Sequence, residues 1–440
     1  MNITLILSGK KTAPPLAAFY LLGNLEKQGH SADLRYLNIA VFGKGDDQPY
    51  DLEKMREVLL SPNDTIAIGC MNDLLPYVLF VLRENREAIR DKTIILGGTG
   101  PAEIAGEIVE RFDFIDFVVK DRHPAILANL LTCLETGGNT LAIEGVVQRD
   151  GAQLSYSPSS PDFFPHYVFP SRPFPSLEHA SLFRLISVEG CPYQCTFCDA
   201  SQFLSRRLRF RDMAHVMDEI EWVLAHAGKQ AAFSIVDEAF VVKRKWVVQF
   251  CETLKERGLA IEWGCYGRID RVDEELLRLM RDAGCTQIYF GIDSGADVVL
   301  EKIKKQLDMQ EVMEKLVLAK KHIRDVTASF IWGYPFETYE DFLRTLTAIR
   351  GLERKGITTQ LHQLVPVRAT EIYREYLDTV TFSRTNALST VMKPLAIESE
   401  AYRCFVEANA DIFLAYSTFA TPDAEKKVRF LAKINTPFRE

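Results

Sequence analysis

Three cysteines stand close together in Glu189-Gly190-Cys191-Pro192-Tyr193-Gln194-Cys195-Thr196-Phe197-Cys198, a C-x3-C-x2-C spacing. With nine cysteines in 440 residues, chance would produce that spacing about 0.004 times per chain. It therefore asks for a chemical reason. Three thiolates offered by one loop suit an iron–sulfur cluster, which proteins hold through cysteine sulfur. In a [4Fe–4S] cube, three cysteines leave one iron open to a non-protein ligand, and an open iron makes a metal site a catalytic one. Two other readings stay open. Three buried thiols acting as small apolar groups fit poorly in a loop containing Gly190 and Pro192. Zinc wants a fourth cysteine or histidine, and the nearest histidines, His179 and His215, are not at finger spacing.

Further polar residues recur where short apolar runs end. Val236-Asp237-Glu238-Ala239-Phe240 carries adjacent carboxylates, which also suit the positive end of a helix dipole. Arg268 follows a third run, as a salt-bridge partner or a carboxylate clamp. Gly291-Ile292-Asp293-Ser294-Gly295 and Ile331-Trp332-Gly333-Tyr334-Pro335-Phe336-Glu337-Thr338 follow later ones, where the glycines also suit tight turns. Tyr266, Tyr334 and His362 lie at or near strand ends; packing or a hydrogen-bonded core position is the default, substrate contact or proton relay the alternative.

Such groups need elements to hold them. From residue 181 to about 370, strands at Phe183–Val188, Phe233–Val236, Ile261–Tyr266, Gln287–Gly291, Thr327–Trp332 and Thr359–Leu364 alternate with amphipathic helices. Six β/α units predict a partial (β/α)6 barrel with its site at the carboxyl ends of the strands. Residues 1–135 show five shorter units, with strands at Ile3–Ser8, Ala32–Asn38, Thr65–Gly69, Thr93–Leu96 and Phe117–Lys120. This α/β pattern predicts a flavodoxin-like, doubly wound parallel sheet, Gly97-Gly98 closing its fourth strand. Residues 136–180 are rich in Gly, Ser and Pro and read as a linker wrapped over the surface, aromatics packed down. Residues 371–440 read as a mainly helical tail.

Composition narrows the function class. Hydrophobic residues make up 47% and charged residues 25%, an ordinary globular balance that excludes disorder and coiled coil. A net charge of −8 argues against a broad nucleic-acid surface or an anionic membrane surface. Met1–Gly9 lacks a basic start and a small-residue cleavage site, so it reads as a first strand rather than a signal peptide, and a cytoplasmic location is expected.

C-x3-C-x2-C after a first strand, with an aromatic before the third cysteine, resembles the radical S-adenosylmethionine (SAM) superfamily, and the five-unit domain ahead of the barrel resembles its cobalamin (B12)-binding-domain subgroup. Arg207–Asp212 (RLRFRD), leading into an acidic helix, is similar to the stretch that follows the cluster loop there. The resemblance implies that Cys191, Cys195 and Cys198 hold the cluster, with Phe197 near the adenine of SAM. It implies that Asp237 and Glu238 receive the SAM amino group, and that Gly291, Asp293, Ser294 and Gly295 meet its ribose and carboxylate. Gly333 belongs to a stretch similar to G-x-P-G-E-T. Phe336 stands where that pattern has glycine, and Asp293 is shorter than the usual Glu. For cobalamin, the resemblance places Gly97 and Gly98 near the nucleotide tail. The loop Ser8–Pro15 offers no histidine to cobalt; His30 and His123 are the only histidines before residue 150. The turn Gly69-Cys70-Met71-Asn72 lacks a hydroxyl, and Asp121-Arg122-His123-Pro124 replaces an acidic stretch.

The expected activity is reductive cleavage of SAM to a 5′-deoxyadenosyl radical that takes hydrogen from a small-molecule substrate, leading to cobalamin-dependent methylation of an unactivated carbon. The alternatives are cobalamin-independent dehydration, epimerisation or rearrangement, and a non-catalytic cobalamin or iron–sulfur sensor. A flavodoxin or ferredoxin would supply electrons; neither nucleic acid nor membrane is expected as a partner. Cys133, Cys251, Cys265, Cys285 and Cys404 stand at single positions, and Cys70 reads as a core thiol.

Overall fold

A computed structural model describes residues 1–9, 12–37, 52–150, 153–158, 167–174, 177–200, 207–227, 230–238, 240–383, 385–386, 395–396 and 399–434. Lys10 and Lys11 of the first loop, Ala239, and residues 159–166 of the expected linker lie outside them. The chain divides into two units. One is Met1–Phe183 with Ala396–Phe413, the other Arg184–Leu395 with Leu414–Glu440.

The first unit is built on β1 (Asn2–Ser8), β2 (Ser31–Leu37), β3 (Thr65–Gly69), β4 (Thr93–Gly97) and β5 (Phe117–Val119), in spatial order 2-1-3-4-5 and parallel throughout. That is the flavodoxin-like order expected. Ile3, Leu5, Ile66, Ile94 and Val118 are buried because a parallel sheet is covered on both faces. The expected linker begins differently. β6 (Val146–Asp150) and β7 (Gln153–Tyr156) form an antiparallel hairpin that extends the sheet beyond β5, with Val146 opposite Val119. The Pro-rich composition starts only at Pro158, so averaging over the whole stretch hides two short strands. Beyond it the aromatics do pack down: Tyr167 stacks on Tyr20 at 4.3 Å and Phe174 meets Phe19 edge-on at 5.1 Å.

The second unit is organised by a six-stranded sheet of β8 (Leu182–Leu185), β11 (Ala232–Ile235), β12 (Glu262–Gly267), β13 (Cys285–Asp293), β14 (Asp325–Trp332) and β15 (Thr358–Gln363), adjacent in that order. Two short strands, β9 (Val188–Glu189) and β10 (Arg209–Phe210), pair antiparallel beside it. Alternation sorts the side chains by face. Phe233, Trp263, Ile288, Phe290, Ala328 and Phe330 are buried on the face that the helices cover; Phe250, in the helix Arg244–Glu256, meets Trp263 at 5.3 Å. Each large group buried there contributes about 1.5–3 kcal/mol. Ser234, Tyr266, Gln287, Tyr289, Gln360 and His362 lie on the other face and stay partly accessible. Among the described residues the tail carries the helices Glu371–Glu375, Glu400–Ala408 and Ala424–Ile434 together with short strands, among them the antiparallel pair Val380–Phe382 with Ser417–Phe419. No helix among the described residues is long and apolar enough to cross a membrane.

Candidate active site

The cysteine loop leaves the sheet just after β9. Gly190 takes φ 94°, a conformation costly for any residue with a Cβ, and so redirects the chain into Cys191. The loop is tied to two neighbours. The Thr196 N–H donates to the Ile303 carbonyl at 3.1 Å, and the Thr196 carbonyl accepts from the Ile372 N–H at 3.0 Å. Behind it Arg211 donates to the Ile186 carbonyl at 2.7 Å and forms a buried ion pair with Glu219 at 2.6 Å.

The three thiols lie within electrostatic reach of one another. Burial pushes all three up, Cys198 to about 12, and the neighbouring thiols add to the effect on Cys195 and Cys198. Arg268 and Lys305 act in the opposite direction on Cys191 and Cys195. Among the described residues no three His, Cys, Asp or Glu side chains converge on a point that a single metal ion would fill. A cubane asks for something else, since each of its thiolates binds a different iron around the cube. A soft all-sulfur donor set beside two cations fits that group.

The ends of the strands bring further groups to the loop. Glu238 lies near enough to Cys191 to raise its proton affinity. Arg268 is 8% exposed. Its Nε donates to Asp270 at 2.9 Å, one Nη to the Lys305 carbonyl at 2.8 Å, and its guanidinium lies 3.8 Å from the centre of the Tyr193 ring. Its other Nη is buried with no hydrogen-bond partner among the described residues. A charged donor in that state is costly unless a ligand completes it.

Asp293 and Lys305 form a buried pair at 2.5 Å. Burial works against the Lys305 charge, but Asp293 and Cys195 more than offset it and hold the ammonium above its usual range. Asp293 sits at φ 74° beyond a bulge in the β13–β14 pairing, and Lys304 and Gln306 are also left-handed, so the backbone is strained on both sides of the pair. A Cβ at Gly291 would lie 3.4 Å from both partners, ordinary van der Waals contact, so Gly291 lines the pair without being required there. Phe197 meets Tyr334 edge-on at 6.1 Å. Lys305 is one lysine among many in the sequence until the fold buries it.

Several other expected site residues are held by the scaffold itself. Asp237 is fully buried, one oxygen accepting from the Ser187 N–H at 2.6 Å and the other from its hydroxyl at 2.5 Å. Burial pushes its carboxyl up to about 7, against the pull of those bonds. Ser294 is fully buried and accepts from the Ala296 N–H at 3.1 Å. A Cβ at Gly295 would lie 2.6 Å from the Thr345 Cα, so that glycine is required where β13 meets the helix Tyr339–Glu353. In the first unit, a Cβ at Gly98 would lie 2.5 Å from the Cys70 carbonyl oxygen, whereas at Gly97 nothing comes nearer than 3.7 Å. Gly333 takes φ 91° and donates its N–H to Glu337 at 2.9 Å.

On the polar face of the sheet the Tyr289 hydroxyl lies 3.1 Å from Gln360 and 3.4 Å from His362, with Tyr266 edge-on to Tyr289 at 5.3 Å. Burial lowers the His362 pKa despite the Asp293 charge, favouring a neutral imidazole. Tyr334 is fully buried, as packing requires, and Tyr266 is 44% exposed. His30 is buried against the Met1 amino group and Thr132, at the amino edge of the first sheet; the His123 Nδ1 accepts from the Ala125 N–H. Cys70 is a core thiol whose pKa burial raises. Cys251, Cys265 and Cys285, scattered in sequence, are buried near one another behind β12 and β13.

This geometry defines a class, a barrel with a three-thiol loop at the carboxyl ends of its strands. Residues 185–349 match the radical SAM superfamily, and they constitute a radical SAM domain; a [4Fe–4S] cluster and SAM are the cofactors of that domain. Over 408 residues, 87% of the chain, it is 25% identical to the anaerobic magnesium-protoporphyrin IX monomethyl ester cyclase of Cereibacter sphaeroides, and the match spans 64% of that protein's length. It is 23% identical to an uncharacterised methyltransferase of Pyrococcus horikoshii, covering 78% of this chain and 74% of that one. Among solved structures, the radical SAM methyltransferase TsrM from Kitasatospora setae, with cobalamin and a [4Fe–4S] cluster bound, shares the fold with a TM-score of 0.67 at 18% identity, over 91% of this chain and 80% of that one.

Proposed function

We propose that this chain is a radical SAM enzyme that methylates an unactivated carbon of a small molecule with the help of cobalamin. The observation that carries the radical SAM part is the three-thiol loop facing a buried guanidinium whose Nη lacks a partner. When bound, the cluster and SAM supply a 5′-deoxyadenosyl radical, and cobalamin a transferable methyl group. Cys191, Cys195 and Cys198 are assigned as cluster ligands. Arg268 holds the SAM carboxylate through its unpartnered Nη, Glu238 receives the SAM ammonium, and Phe197 lines the adenine. Asp293 orders this site by fixing Lys305, and Gly291 and Gly333 line it. Asp237, Ser294, Gly295 and Gly98 are assigned positioning roles, holding strand ends and turns in register.

The cobalamin reading is supported by the 2-1-3-4-5 sheet and by the cobalamin bound in TsrM. The open Cβ direction at Gly97 gives a tail room to approach backbone. Cobalamin-independent radical chemistry is the second reading, favoured by the packing of Gly98 against the Cys70 turn. A flavodoxin or ferredoxin would deliver the electron, in the cytoplasm, where thiols stay reduced.

The test is anaerobic reconstitution with iron, sulfide and cobalamin, followed by SAM and reductant. Methylation consumes one SAM as methyl donor and another as radical source, yielding S-adenosylhomocysteine and 5′-deoxyadenosine together. 5′-Deoxyadenosine alone, with no cobalamin retained, would favour the second reading. Changing Cys191, Cys195 and Cys198 together to Ala should remove the brown chromophore and SAM cleavage. A triple variant that keeps its full iron and sulfide would refute the ligand assignment.

A further inference from the structure

The helix Ala424–Ile434 reads as an exposed amphipathic element with lysines at 426, 427 and 433. Lys427 is instead fully buried. Its three N–H donors are all used: the Glu337 carbonyl at 2.7 Å, Glu337 Oε2 at 3.0 Å and Thr421 Oγ1 at 2.9 Å. Glu337 is fully buried too, and its Oε2 also accepts the Gly333 N–H. Its Oε1 has no hydrogen-bond partner among the described residues. Thr421 donates to the Tyr334 carbonyl at 2.8 Å. The segment leading into the helix is itself anchored, through the pairing of Ser417–Phe419 with Val380–Phe382, and turns at Asp423 with φ 55°.

A buried ion pair is weak evidence for stability, because desolvating two charges offsets most of their attraction. What this pair does specify is geometry. It ties the tail to residues 333–337 at three points: the Gly333 N–H through Glu337, the Tyr334 carbonyl through Thr421, and Glu337 itself. Tyr334 then faces the site twice. Its ring meets Phe197 of the cysteine loop, and its hydroxyl donates to the Asp293 carbonyl at 3.4 Å. Asp293 in turn holds Lys305 beside Cys195.

We propose that Lys427 is a positioning residue for SAM, locking the loop after β14 so that Tyr334 fixes Phe197 and Asp293 in their SAM-binding places. The proposal rests on the radical SAM reading of the site. Lys427 acts through Glu337 and Tyr334.

The test compares the anaerobically reconstituted full chain with Lys427→Met and with the double variant Lys427→Met/Glu337→Gln, which removes both buried charges. Thermal midpoint, iron and sulfide content, the electron paramagnetic resonance of the reduced cluster with and without SAM, and KM and kcat for 5′-deoxyadenosine formation are measured. Lys427→Met should keep its iron and its SAM-free cluster signal while the KM for SAM rises about 10-fold and kcat stays within about threefold, as expected when a misplaced support weakens binding more than chemistry. The double variant should recover thermal stability yet keep the raised KM. An unchanged KM in Lys427→Met, or a KM that returns to wild type together with the midpoint, would overturn the proposal. If Lys427→Met is too unstable to purify, the double variant alone decides. Wild-type protein that holds a cluster but never cleaves SAM would instead refute the underlying reading, and with it this one.

Discussion

Arg268 offers the sharpest test of the SAM assignment, because three of its four contacts are already accounted for. Nε is used by Asp270, one Nη by the Lys305 carbonyl and the guanidinium face by Tyr193, which leaves one buried Nη for a ligand. A hydrogen bond to a charged group contributes about 1.5–3 kcal/mol, so removing it should weaken SAM binding about 10- to 150-fold. Arg268→Gln removes the charge. Arg268→Lys keeps it but loses the planar fork, since one ammonium cannot span Asp270, the Lys305 carbonyl and a ligand at once, and it should weaken binding nearly as much. Asp270→Asn is the control: it disturbs the Nε bond at the edge of the cluster of contacts and leaves the ligand-facing Nη in place. SAM affinity is measured by equilibrium binding to the oxidised, iron-loaded protein, so that reduction and turnover do not enter. If both Arg268 variants bind SAM within about threefold of wild type at full iron content, the carboxylate is held elsewhere. If Asp270→Asn is as damaging as they are, Arg268 is structural.

Asp237 should make stability depend on pH. Its folded carboxyl titrates near 7 against an ordinary value of 3.8, so between those values the native chain holds a proton that the unfolded chain has lost. The extra stability is complete below about pH 4 and is lost as pH rises through about 7, a change of roughly 3–5 kcal/mol. Asp237→Asn, which imitates the protonated acid, should flatten denaturation midpoints between pH 4.5 and 8; an unchanged slope in the variant would assign that dependence to another group. Gly295→Ala should destabilise by about 1–3 kcal/mol through overlap with the Thr345 backbone while the cluster still assembles. A midpoint equal to wild type would mean that the helix Tyr339–Glu353 yields freely.

The readable part of this protein is the part encoded locally. C-x3-C-x2-C needs no tertiary knowledge, because the three thiols are brought together by the loop that contains them. The strands were readable because runs such as Ile66–Ile68 and Phe290–Ile292 announce burial by composition, and the 2-1-3-4-5 sheet followed from their spacing. The unreadable part consists of charged and small residues whose environment comes from distant chain. Lys305 and Lys427 sit in polar, lysine-rich stretches, Arg211 and Glu219 on or beside an acidic helix, and nothing in their neighbours shows that each will be buried against a partner. The Gly291–Gly295 segment was legible as a turn at a strand end. That Gly295 must admit a helix backbone depends on Thr345, which is remote in sequence. Asp237 and Glu238 illustrate the same limit. Adjacent in sequence and alike in charge, they diverge because Ser187 encloses only the first.

On the site face of the second unit, ionic and uncharged polar groups are set apart, and on the proposed reading they would meet SAM and substrate by different chemistry. The ionic groups gather around the cysteine loop: Glu238, Arg268, and the Asp293–Lys305 pair. SAM carries an ammonium, a carboxylate and a sulfonium, and a rim of mixed sign can answer each of the first two. Further along the same face the groups are Ser234, Gln287, Tyr289, Ser329, Gln360 and His362, and burial keeps His362 toward its neutral form. These side chains give and accept hydrogen bonds, and buried hydrogen-bonding groups discriminate strongly against a ligand that leaves them unpaired. The thiols follow from the same bookkeeping. Burial holds protons on Cys191, Cys195 and Cys198, reinforced at Cys195 and Cys198 by the neighbouring thiols, so cluster loading must expel those protons, and Arg268 and Lys305 favour that loss at Cys191 and Cys195. On the proposed reading, the two cations act on the cluster thiols, and Arg268 holds one further donor for SAM.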